Sequence, residues 1–219
     1  SGAQKLLISG GDSATIGEQR LNWVRGVNYA TANPTADLRA RTSLLGDIVN
    51  SSPVYAGRED MGFSRLSAAL GGPSYAEYYA ASKKNRREVI YVGANDGMLH
   101  AFDATIGTTS APDTKTDGEE VFAYIPSSML GGLKKLSSQS YAKNNTNPHR
   151  YMVDGQIFIS DAYVGGEWRN ILVGALGAGG RGIYVLDVTD PDNFSESDVL
   201  FELTEADYPQ LGNITGTPF

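Results

Sequence analysis

The chain has 219 residues, with 25 Asp and Glu against 18 Lys and Arg for a formal net charge of −7, and it contains no cysteine. That length can bury a substantial core as one domain or two. The acidic balance argues against a nucleic-acid partner, because phosphate contacts need clustered Lys and Arg, and the lack of cysteine excludes disulfides, a thiolate metal site and a cysteine nucleophile.

No stretch approaches the roughly eighteen apolar residues of a membrane helix, and the opening SGAQKLLISGGDS lacks the basic region and long apolar run of a signal peptide. In EQRLNWVRGVNYA (18–30), Leu21, Val24 and Tyr29 fall at roughly helical spacing, which predicts a short helix within a lead-in segment, 1–43. SYAEYYAASKKNRR (74–87) predicts a second helix. Its basic end, Lys83-Lys84-Asn85-Arg86-Arg87, reads as a solvated loop.

From residue 88 the chain reads as short strands separated by Gly, Asp, Asn and Pro, and the strands repeat. EVIYVGANDGMLHAFDAT (88–105) and NILVGALGAGGRGIYVLDVT (170–189) share one plan: a strand ending in Val92-Gly93 or Val173-Gly174, a glycine-containing turn, and a strand closing on Asp103 or Asp187. A third apolar strand follows each, EEVFAYIP (119–126) and DVLFELT (198–204). LGDIVNSSPV (45–54) before the first unit is echoed by LGNITGTPF (211–219) after the second, and VDGQIFISDAYVGG (153–166) holds the same place before the second unit. The implied order is inner strand, two hairpin strands, outer strand, then the same again, with the inner strand of a third unit begun at the end.

Four antiparallel strands per radially repeated unit describe a β-propeller. Residues 44–219 are then the first, about two, blades of an incomplete all-β propeller with short helical excursions. A blade buries its faces only against neighbouring blades, so a two-blade piece implies further blades after Phe219. A β-sandwich would use similar strands without predicting the repeated frame.

Several residues invite a chemical reading. Asn95-Asp96-Gly97 could coordinate a cation, but Asn-Gly and Asp-Gly pairs supply the positive φ of tight hairpin turns, and that reading outweighs the other. Asp103 and Asp187 end matching strands, where a carboxylate accepts from backbone N–H groups two residues on. Gly177-Ala178-Gly179-Gly180-Arg181-Gly182 suggests a phosphate loop, but no helix pattern follows it, and a glycine-rich β-turn near the propeller axis is favoured. Asp187, Asp190, Asp192, Glu196 and Asp198 could supply calcium ligands, yet Pro191 and the spacing break the loop register. His100 lies inside a strand and reads as a packed or hydrogen-bonded residue. His149 is the other histidine, and no Ser-His-Asp order converges on either. Trp168 is expected to pack blade against blade. No residue is assigned a catalytic, cofactor-binding or metal-binding role.

Together LGDIVNSSPVYAG, VIYVGANDGMLHAFDATIG, FAYIPSSML and HRYMVDGQIFISDAYVGGEWRNILVGALGAGGRGIYVLDVTDP resemble the C-terminal domain of the PilY family, called PilC in some bacteria, from LNWVRG (21–26) onward. The resemblance implies a modified β-propeller of quinoprotein type, here the N-terminal part of that domain, within a much larger exported protein. It implies a non-enzymatic role in type IV pilus biogenesis and adhesion, with minor pilins at the pilus tip and a host-cell receptor as partners, supporting extension and retraction, twitching motility and host attachment. The location implied is the cell surface, pilus tip or outer membrane of a Gram-negative bacterium.

Some members of the family carry an Asp-rich calcium loop. No Asp-x-Asp-x-Asp-Gly pattern with a downstream acid occurs here, so calcium is expected, if at all, beyond Phe219, and no cofactor within these residues. Two other functions share the propeller plan. Residues 92–107 are similar to the repeat of quinone-dependent dehydrogenases, whose cofactor often sits beside adjacent cysteines, and a periplasmic assembly scaffold of the outer-membrane machinery would have the same architecture. Partner contacts are expected on the two long excursions, 104–118 and 127–150, since propellers bind through loops held on a rigid ring.

Overall fold

A computed structural model describes residues 2–27, 29, 37–105 and 118–218. Eight strands form two four-stranded antiparallel sheets, each in sequence order. The first contains β1 (Val54–Ala56), β2 (Val89–Gly93), β3 (Leu99–Asp103) and β4 (Glu120–Tyr124), and the second β5 (Ile157–Val164), β6 (Glu167–Ala175), β7 (Gly182–Asp187) and β8 (Val199–Thr204). This is the strand order expected from the repeat.

The two sheets repeat below the level of topology. A register shift falls between Ala101 and Phe102 in one and between Val185 and Leu186 in the other, two residues before Asp103 and Asp187. Each of these aspartates accepts the backbone N–H of a threonine two residues on, Thr105 and Thr189, both at 3.0 Å. Each threonine hydroxyl accepts a backbone N–H of the neighbouring strand end, from Glu88 at 3.0 Å and Asn170 at 2.9 Å. Arg87 and Arg169 then reach Asp103 and Asp187 at 2.8 and 3.2 Å. An Arg, an Asp and a Thr thus close the same corner of both sheets.

The sheets pack face to face. Phe122 of β4 stacks on Phe194 at 4.0 Å, Tyr124 lies 5.7 Å from Tyr184 of β7, and the Tyr124 hydroxyl donates to Glu202 of β8. Val89, Tyr91, Leu99 and Ala101 of the first sheet join Leu172, Tyr184 and Leu186 of the second in a continuous buried cluster. β2 and β3 read as nearly unbroken apolar runs because both their faces are covered.

Among the described residues, four α-helices flank the sheets. α1 (Gly2–Ser9) and α2 (Ala14–Val24) form a hairpin in the lead-in segment. Arg20 holds it together, donating to the carbonyls of Ile8 and Ser9 and to Asp12. Trp23 and Val24 of α2 join the main core. α3 (Gly72–Ala81) lies in the connection between β1 and β2, with Pro73 in its first turn, where a missing N–H costs nothing.

The connection 127–150 is a long excursion with a short helical stretch, as its Ser, Asn, Gly and Lys content around SSMLGGLKKL suggests, but it is fastened in the core. It forms a 3-10 segment (Ser127–Gly132) and α4 (Leu133–Ser137), and Met129, Leu130, Leu133, Leu136 and Tyr141 enter the core. Residues 142–146 at its tip are exposed. The corresponding tip of the 104–118 excursion, 106–117, lies outside the described residues.

At 153–166 the repeated frame holds β5 itself, whereas its copies at 45–54 and 211–218 prove to be the approach to a strand rather than the strand. Of 45–54 only Val54 enters β1, and 211–218 contain no strand. Both segments pin hairpin turns instead. Asp47 accepts the Asn95 side chain at 2.8 Å, and the equivalent Asn213 donates to the carbonyls of Gly177 and Gly180 at 2.7 and 3.3 Å.

Candidate functional site

The Asn95-Asp96-Gly97 turn is consumed by structure. Gly97 adopts φ 94°, which a side chain would resist. Asn95 and Asp96 are both buried. Asn95 donates to Asp47 and accepts Met152 N at 2.9 Å, while Asp96 accepts Met98 N at 3.1 Å and Gly46 N at 2.7 Å.

Asp96 also holds His100. The buried imidazole meets the Asp96 carboxylate through Nε2 at 3.1 Å and Glu120 through Nδ1 at 2.6 Å. Burial alone would push the imidazolium down, but the bonds to Asp96 and Glu120 overcome it and raise the group to about 9. His100 is therefore a cation at neutral pH, clamped between two carboxylates. With Glu120 it lines a cavity of about 580 Å³ whose other wall comes from Leu21 and Val24 of α2.

The remaining candidates are tied up in the same way. His149 meets Asp47 at 3.0 Å on the surface. Gly177–Gly179 form a 3-10 turn between β6 and β7, with Gly177 at φ 59°. In the acidic segment, Asp190 accepts from Asn193, Asp192 from Arg87, and Asp198 from the Ser195 N–H, so these carboxylates point to separate partners. Among the described residues no three His, Asp or Glu side chains are grouped as metal ligands.

The basic run is where structure departs furthest from expectation. Lys83 and Arg86 are buried and the Arg87 side chain is only 8% exposed, so 83–87 is a seam and not a solvated loop. Lys83 pairs with Asp161 in the middle of β5, and the same carboxylate accepts from Tyr75, Tyr78 and Asn170. Burial first, and then the bond to Asp161, pushes the Tyr75 hydroxyl well above its usual range. Arg86 donates to Asn170 at 2.6 Å and to the Val188 carbonyl at 2.7 Å. Arg87 bridges Asp103 of the first sheet and Asp192 of the second.

Trp168 does pack, but against the α3 connection. Its ring stacks on Phe63 at 5.4 Å and meets Tyr75 edge-on at 4.7 Å, and its Nε1 donates to the Gly71 carbonyl at 2.7 Å. The α3 connection, which belongs to the first sheet, is thus strapped across the second by an aromatic cluster and a buried ion pair. Sequence reading missed that strap. The available signal was Asp161 facing Asn170 across the β5–β6 hairpin, two polar side chains where buried groups need partners.

Two four-stranded antiparallel sheets, packed face to face and built on one repeated plan, are blades of a β-propeller. Residues 45–213 match the family model described as the PilY1 beta-propeller domain, and the chain belongs to that family.

The chain is 39% identical over 208 residues to a type IV pilus biogenesis factor PilY1 homolog of Xylella fastidiosa, covering 94% of this chain and 15% of that protein. It is 37% identical over 198 residues to the type IV pilus biogenesis factor PilY1 of Pseudomonas aeruginosa strain PAK, covering 90% of this chain and 15% of the relative. It is also similar to the crystal structure of the Pseudomonas aeruginosa PilY1 C-terminal domain, with a TM-score of 0.50 and 33% identity over 75% of this chain and 28% of that one. The chain therefore spans about 15% of the length of these curated relatives. Among its described residues no helix is long and apolar enough to cross a membrane.

Proposed function

We propose that this chain forms part of a type IV pilus biogenesis factor and acts there as a non-enzymatic scaffold and adhesin. It contacts minor pilins at the pilus tip and a receptor on the host cell, and it supports pilus extension and retraction, twitching motility and attachment. Its place is outside the cell, at the surface or pilus tip. The observation that carries this reading is the match of residues 45–213 to the PilY1 propeller family, together with relatives named as pilus biogenesis factors.

The geometry supports a binding role. Residues 142–146 project from a connection whose apolar side chains are fastened in the core, so an exposed tip is presented from a fixed base. Phe158 and Phe201, opposite Val173 and Val185 on the far face of the second sheet, are 37% and 49% exposed and offer an apolar surface to a further blade of the same protein. Deleting the gene that encodes the chain from a piliated bacterium tests the reading. The expected result is loss of surface pili, twitching and attachment, restored by the intact gene; normal piliation and motility in the deletion strain would overturn it.

A further inference from the structure

Several cations among the described residues pair with carboxylates. Arg20 and Lys134 pair with Asp12, Lys83 with Asp161, Arg87 with Asp103, Arg169 with Asp187 and Arg181 with Glu205. Among the same residues, Lys135 of α4 and Arg150 have no such pairing and are brought together. Both line one cavity of about 480 Å³, at the end of the sheets where the β6–β7 turn meets the 127–150 connection. Neither side chain has an acceptor among the described residues, and the Arg150 Nε is buried without a partner.

The rest of the wall suits an anion with an apolar body. No Asp or Glu lines the cavity, whereas Ser128 offers a hydroxyl and Met129, Tyr151 and Met152 offer apolar surface. The buried Nε is closed to a ligand, but the outer guanidinium nitrogens of Arg150 and the Lys135 ammonium, which have no acceptor of their own, can take one from a bound molecule. The planar fork of Arg matches a carboxylate with two parallel bonds, and a nearby ammonium adds charge without demanding geometry. The cavity has room beyond one carboxylate, and methionines adapt to the shape of an aliphatic or aromatic group.

We propose that this cavity binds an organic carboxylate, its oxygens on Arg150 and Lys135 and its apolar body along Met129, Tyr151 and Met152. The inference rests on these side chains and not on family membership.

Isothermal titration of the whole 219-residue chain with hexanoate, in a buffer free of other carboxylates and of phosphate, tests it. Hexanamide and inorganic phosphate serve as comparison probes. The expected result is saturable binding of hexanoate at one site, with hexanamide and phosphate each at least about tenfold weaker. Lys135→Gln alters an exposed side chain and should weaken hexanoate by about tenfold; Arg150→Gln should weaken it as much or more, and Arg169→Gln should leave it unchanged. Absence of saturable hexanoate binding, equal affinity for phosphate or hexanamide, or unchanged affinity in Lys135→Gln would each overturn the proposal.

Discussion

Lys83 and Asp161 form an ion pair with side chains only 4% and 0% exposed, joining the β1–β2 connection of the first sheet to the middle of the first strand of the second. Removing one member of such a pair strands the other charge in a dry site. Asp161→Ala should lower stability by about 3–5 kcal/mol in urea unfolding. The double variant Lys83→Met, Asp161→Leu should lose less than the sum of its single variants, since neither charge is left alone. A drop below about 1 kcal/mol for Asp161→Ala would show that the pair is not closed in solution.

His100 makes stability depend on pH in a defined window. Its folded-state value is raised from 6.5 to about 9, so its contribution is fully present below 6.5 and is lost as the pH rises through about 9. Glu120 is half-exposed and screened, which limits the effect to roughly 2 kcal/mol. Urea midpoints should fall across that interval, and His100→Gln should flatten the profile. An unchanged slope in the variant would remove His100 as the source.

Two buried tyrosines should respond in opposite directions to loss of the hydroxyl. The Tyr184 hydroxyl is buried with no partner, so Tyr184→Phe should leave stability unchanged or raise it by up to about 1 kcal/mol. The Tyr75 hydroxyl donates to Asp161 and accepts Met61 N, so Tyr75→Phe should cost about 1–3 kcal/mol. Thermal unfolding of the two variants side by side distinguishes them, and equal shifts would contradict the assignment.

Trp168→Ala should loosen the α3 connection before it unfolds the sheets. Loss of the contacts to Phe63, Tyr75 and the Gly71 carbonyl is expected to cost about 3–5 kcal/mol, felt mainly in that connection. Limited trypsin digestion should then cut at Arg58 or Arg65 under conditions where the parent chain resists. A digestion pattern identical to the parent would mean that the strap is held elsewhere.

The hairpins were legible because their signals are local. Alternating apolar runs, Asp-Gly at a turn and an Asp two residues before a Thr each act within a few residues, and β2, β3, β6 and β7 fall where those signals place them. The helices expected within 18–30 and 74–87 exist but lie earlier, at Ala14–Val24 and Gly72–Ala81, so Tyr29 and the basic end fall outside them, and the helix Gly2–Ser9 was not expected.

The seam at 83–87 was illegible because nothing near Lys83 or Arg86 predicts burial; their partners, Asp161 and Asn170, lie 78 and 84 residues away. The repeated LGD and LGN segments were recognised as equivalent, but their shared task, holding a hairpin turn through Asp47 or Asn213, emerges only when distant backbone carbonyls are in place. The fastening of 127–150 was hidden for a similar reason, since Leu133 and Leu136 find their neighbours only once both sheets exist.

The strap from the first sheet across the second also determines how the pair bears load. Tension drawing the sheets apart acts on Lys83–Asp161, Arg86–Asn170, Arg87–Asp192 and the Trp168 ring cluster side by side, so these ties share the force and cannot peel one after another. Rupture of any one tie leaves the others still bridging the two blades.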